Sequence, residues 1–162
     1  MELEILRNIQ SIANPFLDIL FQLITICGEQ MVLVLIISII YWVKDKKFGE
    51  YIAYAVLTSV LVNCVVKDIF KFKRPIGEEG IRTLREKTAT GYSFPSGHTQ
   101  GAGSFYGAMA IYIKKKVMYI IAIIMIILIG FSRLYLGVHY PKDVIVGGIL
   151  GVLISYICYN IY

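Results

Sequence analysis

Apolar residues run along this chain in six blocks, separated by short charged, glycine-containing or proline-containing interruptions. The first block, Ile5–Cys27, has an amphipathic start and is interrupted at Pro15; Gly28-Glu29 forms a turn after it. The second, Gln30–Val43, is short and carries Tyr41 and Trp42, an aromatic pair suited to a membrane–water interface. Lys44–Lys47 separate it from the third block, Phe48–Phe70. A polar stretch, Lys71–Pro95, precedes the fourth, Ser96–Ile113. Lys114–Lys116 then lead to the fifth, Val117–Tyr135, and the sixth runs from Pro141 to the C-terminal residue. A helix of roughly 20 mostly apolar residues crosses a bilayer. The pattern therefore predicts an all-α, polytopic membrane protein: six transmembrane helices in one bundle, with residues 1–162 a single domain.

Composition strengthens this. Hydrophobic residues make up 57% of the chain and charged residues only 17%, against about 25% charged in an average soluble domain. The fourth block holds Gly101, Ala102, Gly103, Ser104, Gly107, Ala108 and Ala110, and the sixth holds Gly147, Gly148 and Gly151. Small residues of this kind let membrane helices approach closely. The three cysteines, Cys27, Cys64 and Cys158, lie far apart in apolar blocks with no metal-ligand spacing, and read as small buried hydrophobes. The start Met1-Glu2-Leu3-Glu4 lacks the positive charge of a secretory leader, so the first block is expected to be retained.

The net charge of +5 sits between the apolar blocks. That placement fits membrane topology and anionic head groups, and no basic-aromatic stretch suits a nucleic acid. With six spans, Lys44–Lys47 and Lys114–Lys116 share a side, which positive charge makes cytoplasmic. Both termini are then expected in the cytoplasm, and Lys71–Pro95 faces outward. That stretch is itself basic, so its cations need another role. Its loop between Pro75 and Ser93 is long enough to be functional.

Three clusters fall at block ends on that outward side. The first, KDIFKFKRP, places Lys67 seven residues before Arg74. On a continuous helix the two share a face. Lys67 lies deep in an apolar stretch, where ionisable groups are usually functional, whereas Lys71 and Lys73 suit snorkelling at the interface. The second, Pro95-Ser96-Gly97-His98, stands where a loop enters a helix. Free N–H groups at a helix start attract anions, and Gly97 permits close approach. Ser96 can cap the helix, donate to an anion, or do both. His98 would stand where it can protonate a leaving oxygen. The third, SRLYLGVHYPKD, holds Arg133, His139 and Asp143. Asp143, four residues past His139, can fix the imidazole tautomer and leave the other ring nitrogen as a nucleophile. Cations converging from separate segments suit a phosphate with several anionic oxygens.

In these three clusters, KxxxxxxRP, PSGH and SRxxxxxHxxxD, the chain resembles the type 2 phosphatidic acid phosphatase (PAP2) superfamily. The motifs span Lys67–Asp143 without a departure. The resemblance implies a helical bundle with its site at the extracytoplasmic end. It implies that His139 attacks phosphorus to give a phosphohistidine, Asp143 orients it, and His98 is the general acid. Lys67, Arg74, Ser96, Gly97 and Arg133 would hold the phosphoryl oxygens. It implies no metal and no cofactor, since the cations supply the positive charge. The expected protein is a lipid phosphatase of the plasma membrane whose partners are the bilayer and a lipid phosphate. Undecaprenyl diphosphate is the first substrate reading, and phosphatidylglycerophosphate or phosphatidate the alternative. Two other classes are a vanadate-dependent haloperoxidase and a non-catalytic lipid transporter; intact His98, His139 and Asp143 argue against the latter.

Overall fold

The computed structural model describes all 162 residues and is helical. Seven α-helices follow in order: α1 Glu2–Gln10, α2 Pro15–Ile26, α3 Gln30–Ile39, α4 Lys46–Phe70, α5 Gly97–Ile113, α6 Lys116–Tyr135 and α7 Pro141–Ile161. A π turn, Ile40–Lys44, extends α3, and a short 3-10 turn, Glu86–Thr88, lies in the long loop. The starts follow from local chemistry. Asn14 accepts from the Leu17 N–H and Pro15 opens α2; Asp45 accepts from the Phe48 N–H at the start of α4.

α5 is the axis of the bundle and packs most extensively on α7, then on α6 and α4. The small residues explain how. A Cβ on Gly103 would stand 2.7 Å from the Gly148 carbonyl of α7, and one on Gly147 would stand 2.7 Å from the Ser96 carbonyl. Away from the chemistry, a core of Leu33, Ile37, Phe48, Tyr51, Ile52, Phe105 and Ile154 joins α3, α4, α5 and α7. The outer faces expose Leu57, Leu61, Ile123, Ile127, Ile149 and Tyr156, a surface suited to lipid. Three helices, α4, α6 and α7, are long and apolar enough to cross a membrane, or four segments if α1 and α2 count as one broken span. Gln30–Lys44 is a shorter apolar helix. The multi-pass membrane architecture holds.

The first block does not form one straight span. α1 and α2 bend by 119° at the break before Pro15. Gln10 donates to the Tyr135 carbonyl, Asp18 accepts from the Tyr135 hydroxyl, and a Cβ on Gly28 would meet the His98 carbonyl at 3.2 Å. Both ends of α2 therefore lie beside the same end of the bundle. Glu2 pairs with Lys142 at the start of α7 (2.9 Å), whereas Tyr162 donates to Glu50 near the start of α4. The two ends of the chain thus lie at opposite ends of the bundle. The expectation that both are cytoplasmic would put them at one end of the bundle, and the structure places them at opposite ends. The cysteine reading is corrected too. Cys158 is buried, but Cys27 is half-buried and Cys64 exposed, and all three are free thiols.

Close approach of α5 and α7 predicts opposite effects for two neighbouring glycines. Gly103→Ala should destabilise the detergent-solubilised protein by about 1–3 kcal/mol through overpacking. Gly101→Ala meets the Leu33 side chain at 3.5 Å and the Gly28 carbonyl at 3.9 Å, both ordinary contacts, and should be neutral or stabilising by up to about 1 kcal/mol. Unfolding midpoints of the two variants check the pair; equal midpoints would show that this contact does not limit packing.

Candidate active site

Four segments meet at one end of the bundle: the last turn of α4 with Arg74 beyond it, the loop Thr90–Pro95, the start of α5, and the α6–α7 turn. α4 stops at Phe70 because Lys71 turns left-handed, with φ of 50°. Lys67 and Arg74 therefore do not share a helix face as the spacing suggested. They meet because the chain folds back after the cap.

Two of the three cations, Lys67 and Arg74, are held by backbone oxygens. Lys67 Nζ donates to the Tyr92 and Ser93 carbonyls. Arg74 donates to the carbonyls of Thr90 (2.8 Å), Gly91 (3.1 Å) and Val138 (2.9 Å), and to His139 Nε2 (2.9 Å). Arg133, on α6, is fully buried and donates through Nη1 to the Thr25 hydroxyl at 2.9 Å. Its Nε and Nη2 have no partner. None of the three forms an ion pair.

These contacts assign the His139 tautomer. A guanidinium has no acceptor, so Nε2 must offer its lone pair to Arg74. The ring proton is then on Nδ1, which faces Asp143 Oδ2 at 3.3 Å and the Ser93 hydroxyl at 3.4 Å. Oδ2 also accepts from the Ser93 hydroxyl and from the Tyr140 N–H (2.9 Å). Pro141 opens α7 at this point. Burial holds the His139 pKa well below its ordinary value of 6.5, and Arg74, Arg133 and Lys67 reinforce this. His139 is thus a neutral imidazole with its Nε2 lone pair directed toward the cations.

His98, in the first turn of α5, has a buried Nε2 with no partner. Ser96 is the helix cap, and its hydroxyl is shared with Thr99 at 3.0 Å. A cavity of about 460 Å³ is lined by Lys67, Arg74, Gly97, His98 and His139. Ser96, Arg133 and Asp143 are not among its lining residues. All eight expected residues thus gather at one end of the bundle, five of them facing the cavity. The larger groove, of about 860 Å³ beside α6 and α7, is lined mostly by apolar residues and has none of this chemistry. Two cations, a helix start and the His139 nitrogen lone pair thus face one cavity, an arrangement that can accept an oxyanion.

Sequence reasoning missed four supporting residues. Thr25 fixes Arg133. Ser93 bonds Asp143. Asn63 donates to the Pro95 carbonyl (3.3 Å) and to Gln100 Oε1 (2.8 Å), and Gln100 donates to the Ser59 carbonyl (2.8 Å). All but Ser93 are polar side chains in helices that pack into the bundle, which was the available signal.

Fold and site together define a multi-pass membrane protein with cations gathered at a buried histidine. The chain belongs to the PAP2 superfamily, whose model matches residues 49–162. It is 33% identical over 119 residues to the undecaprenyl-diphosphatase of Sulfolobus acidocaldarius, covering 73% of this chain and 57% of that one. It is 31% identical over 159 residues to phosphatidylglycerophosphatase B of Bacillus subtilis, covering 90% of this chain and 75% of that protein. The crystal structure of Aquifex aeolicus LpxE superposes with a TM-score of 0.87 at 27% identity, over 98% of this chain and 94% of that one. The chain thus spans little more than half of the Sulfolobus relative. Membership and these relatives support a hydrolase acting on phosphate esters.

If Thr25 sets the position of Arg133, Thr25→Val should keep the shape and weaken oxyanion binding about tenfold, since a buried N–H loses its acceptor. Orthovanadate affinity measures this. Unchanged affinity would show that Arg133 is placed without Thr25.

Proposed function

We propose that this protein hydrolyses a lipid phosphate or diphosphate through a phosphohistidine on His139, without a metal ion. The observation that carries this is the pair of buried, unpartnered Arg133 nitrogens, Nε and Nη2, together with the unpartnered His98 Nε2 at the same end of the bundle. Buried donors without acceptors are costly, and an oxyanion would satisfy them. In the proposed reaction Lys67, Arg74, Gly97 and Arg133 hold the phosphoryl oxygens, and Ser96 shapes the helix start. The His139 Nε2 lone pair attacks phosphorus, the bond to the leaving oxygen breaks, and His98, protonated as the phosphate brings its negative charge among the cations, gives that oxygen its proton. Water then attacks the phosphohistidine, His98 accepts its proton, and the P–Nε2 bond breaks to free phosphate and His139. Asp143 holds the Nδ1 proton throughout. The cations stabilise the charge that develops on the transferring group.

Undecaprenyl diphosphate is the leading substrate and phosphatidylglycerophosphate or phosphatidate the alternative; relatives named for the first two support both. The lysine-rich turns at Lys44–Lys47 and Lys114–Lys116 support a cytoplasmic end opposite the site. We place the site outward in the plasma membrane, with the N-terminal segment beside it and the C-terminal residues in the cytoplasm.

Phosphate release from a panel of lipid phosphates and diphosphates tests the reading. Release should survive EDTA and be inhibited by vanadate; loss on chelation with rescue by Mg²⁺ would sink the metal-free mechanism. Rapid-quench trapping should find no phosphoenzyme in His139→Ala. His98→Ala should be impaired more on a lipid monoester than on an activated aryl phosphate, which needs little protonation to leave. Labelled phosphoenzyme in His139→Ala, or equal impairment of His98→Ala on both substrates, would overturn the roles.

The depressed pKa of His139 gives a pH prediction with a definite sign. Lowering keeps the neutral nucleophile populated as pH falls through 6.5. Single-turnover phosphoenzyme formation should therefore show no loss with an apparent pKa near 6.5 that follows His139. A His139 imidazole signal titrating at its ordinary value would contradict the burial argument.

A further inference from the structure

Ser93 stands two residues before Pro95, outside the three motifs, and is fully buried. Its three polar groups point to three different parts of the site. Its N–H donates to the Phe72 carbonyl at 2.8 Å, holding the loop against the chain that leaves α4. Its carbonyl accepts from Lys67 Nζ at 3.3 Å. Its hydroxyl donates to Asp143 Oδ2 and lies 3.4 Å from His139 Nδ1.

The roles of the hydroxyl follow from proton counting. Its single proton goes to Asp143 Oδ2, because an ionised carboxylate can only accept. Toward His139 it must then act as acceptor. The His139 Nδ1 proton is shared between Asp143 Oδ2 at 3.3 Å and Ser93 Oγ at 3.4 Å. Asp143 Oδ1 is buried with no partner, so every hydrogen bond to this carboxylate falls on Oδ2. The carboxylate is thus held from one side only, and Ser93 supplies one of its three donors.

We propose that Ser93 is a positioning residue that completes the His139–Asp143 pair. It fixes the rotation of the carboxylate and gives the Nδ1 proton a second acceptor, so that Nε2 keeps its lone pair aimed at phosphorus. This rests on the reading of His139 as nucleophile. The hydroxyl and the carbonyl serve different functions: the first aims the nucleophile, the second holds a phosphate-binding cation. Substituting the side chain leaves the carbonyl in place, so rate and binding should separate.

Ser93→Ala should slow phosphohistidine formation about ten- to a hundredfold, the effect of losing a hydrogen bond to a charged group. KM and vanadate affinity should be unchanged. In an Asp143→Asn background the same substitution should have no further effect, since the hydroxyl acts through that carboxylate. Ser93→Cys, similar in size with weaker hydrogen bonding, should recover part of the rate and replaces Ser93→Ala in the cycle if the latter does not fold. Equal losses in both backgrounds, or loss of vanadate affinity matching the loss of rate, would make Ser93 merely structural and overturn the proposal, as would an undiminished rate. Trapping in the unsubstituted protein separates the two readings. Label on His139 with a fully active Ser93→Ala refutes the positioning role alone, whereas no label on His139 refutes the nucleophile itself.

Discussion

Three cations stand at the end of an apolar bundle without a carboxylate paired to any of them. A charge taken out of water is costly unless its hydrogen bonds are replaced. Here most of the replacements are backbone carbonyls. Lys67 and Arg74 together use those of Thr90, Gly91, Tyr92, Ser93 and Val138. A regular helix cannot provide such acceptors, because its interior carbonyls are already bonded within it. The long irregular loop and the α6–α7 turn are therefore what this site needs. Gly137 makes that turn tight, with φ of 69° and a Gln10 amide 2.8 Å from where a Cβ would stand. Carbonyls satisfy donors without neutralising charge, so the site stays electropositive and receptive to an anion.

The same constraint reaches into the membrane span. The α5 start must sit at a fixed depth beside these cations, and its small face lets α7 come close enough to bring Asp143 beneath it. The Ser96 N–H bonds the Asp143 carbonyl at 2.9 Å, joining the two helix starts directly. From the other side, Ser59, Gln100 and Asn63 form a buried chain that ends on the Pro95 carbonyl. Polar groups in such surroundings order their neighbours when every bond is made. The helix start is thus clamped from α4 and from α7, which is the precision that a reaction at one nitrogen demands.

How much of this was legible in the sequence depends on how rare each residue type is in its setting. Arg133, His139, Asp143 and Lys67 stand out because ionisable groups are uncommon in apolar segments, and the all-helical bundle follows from block lengths. The shared face of Lys67 and Arg74 failed because Lys71 adopts a left-handed cap, a conformation glycine or asparagine would have advertised. Pro15 marked the break in the first block, but only long-range contacts such as Gln10 to Tyr135 reveal that α2 returns to the same end. Thr25, Ser93 and Asn63 are common residue types whose partners lie far away in sequence, and no local pattern announces such pairs.

Arg74 Nη1 stands 2.9 Å from His139 Nε2. The guanidinium bonds the nitrogen lone pair that the proposed reaction uses. That lone pair cannot attack phosphorus while it accepts from Arg74. Phosphoryl oxygens bring a stronger acceptor to the same cation, since a bond to an ionised oxygen outweighs one to a neutral imidazole. Binding an oxyanion would then draw Arg74 from Nε2 and free the nucleophile in the same step. Asp143 and Ser93 keep the ring from following, because the Nδ1 proton is anchored on their side. Under the proposed function, the cation that bonds Nε2 is thus the same one assigned to the phosphoryl oxygens.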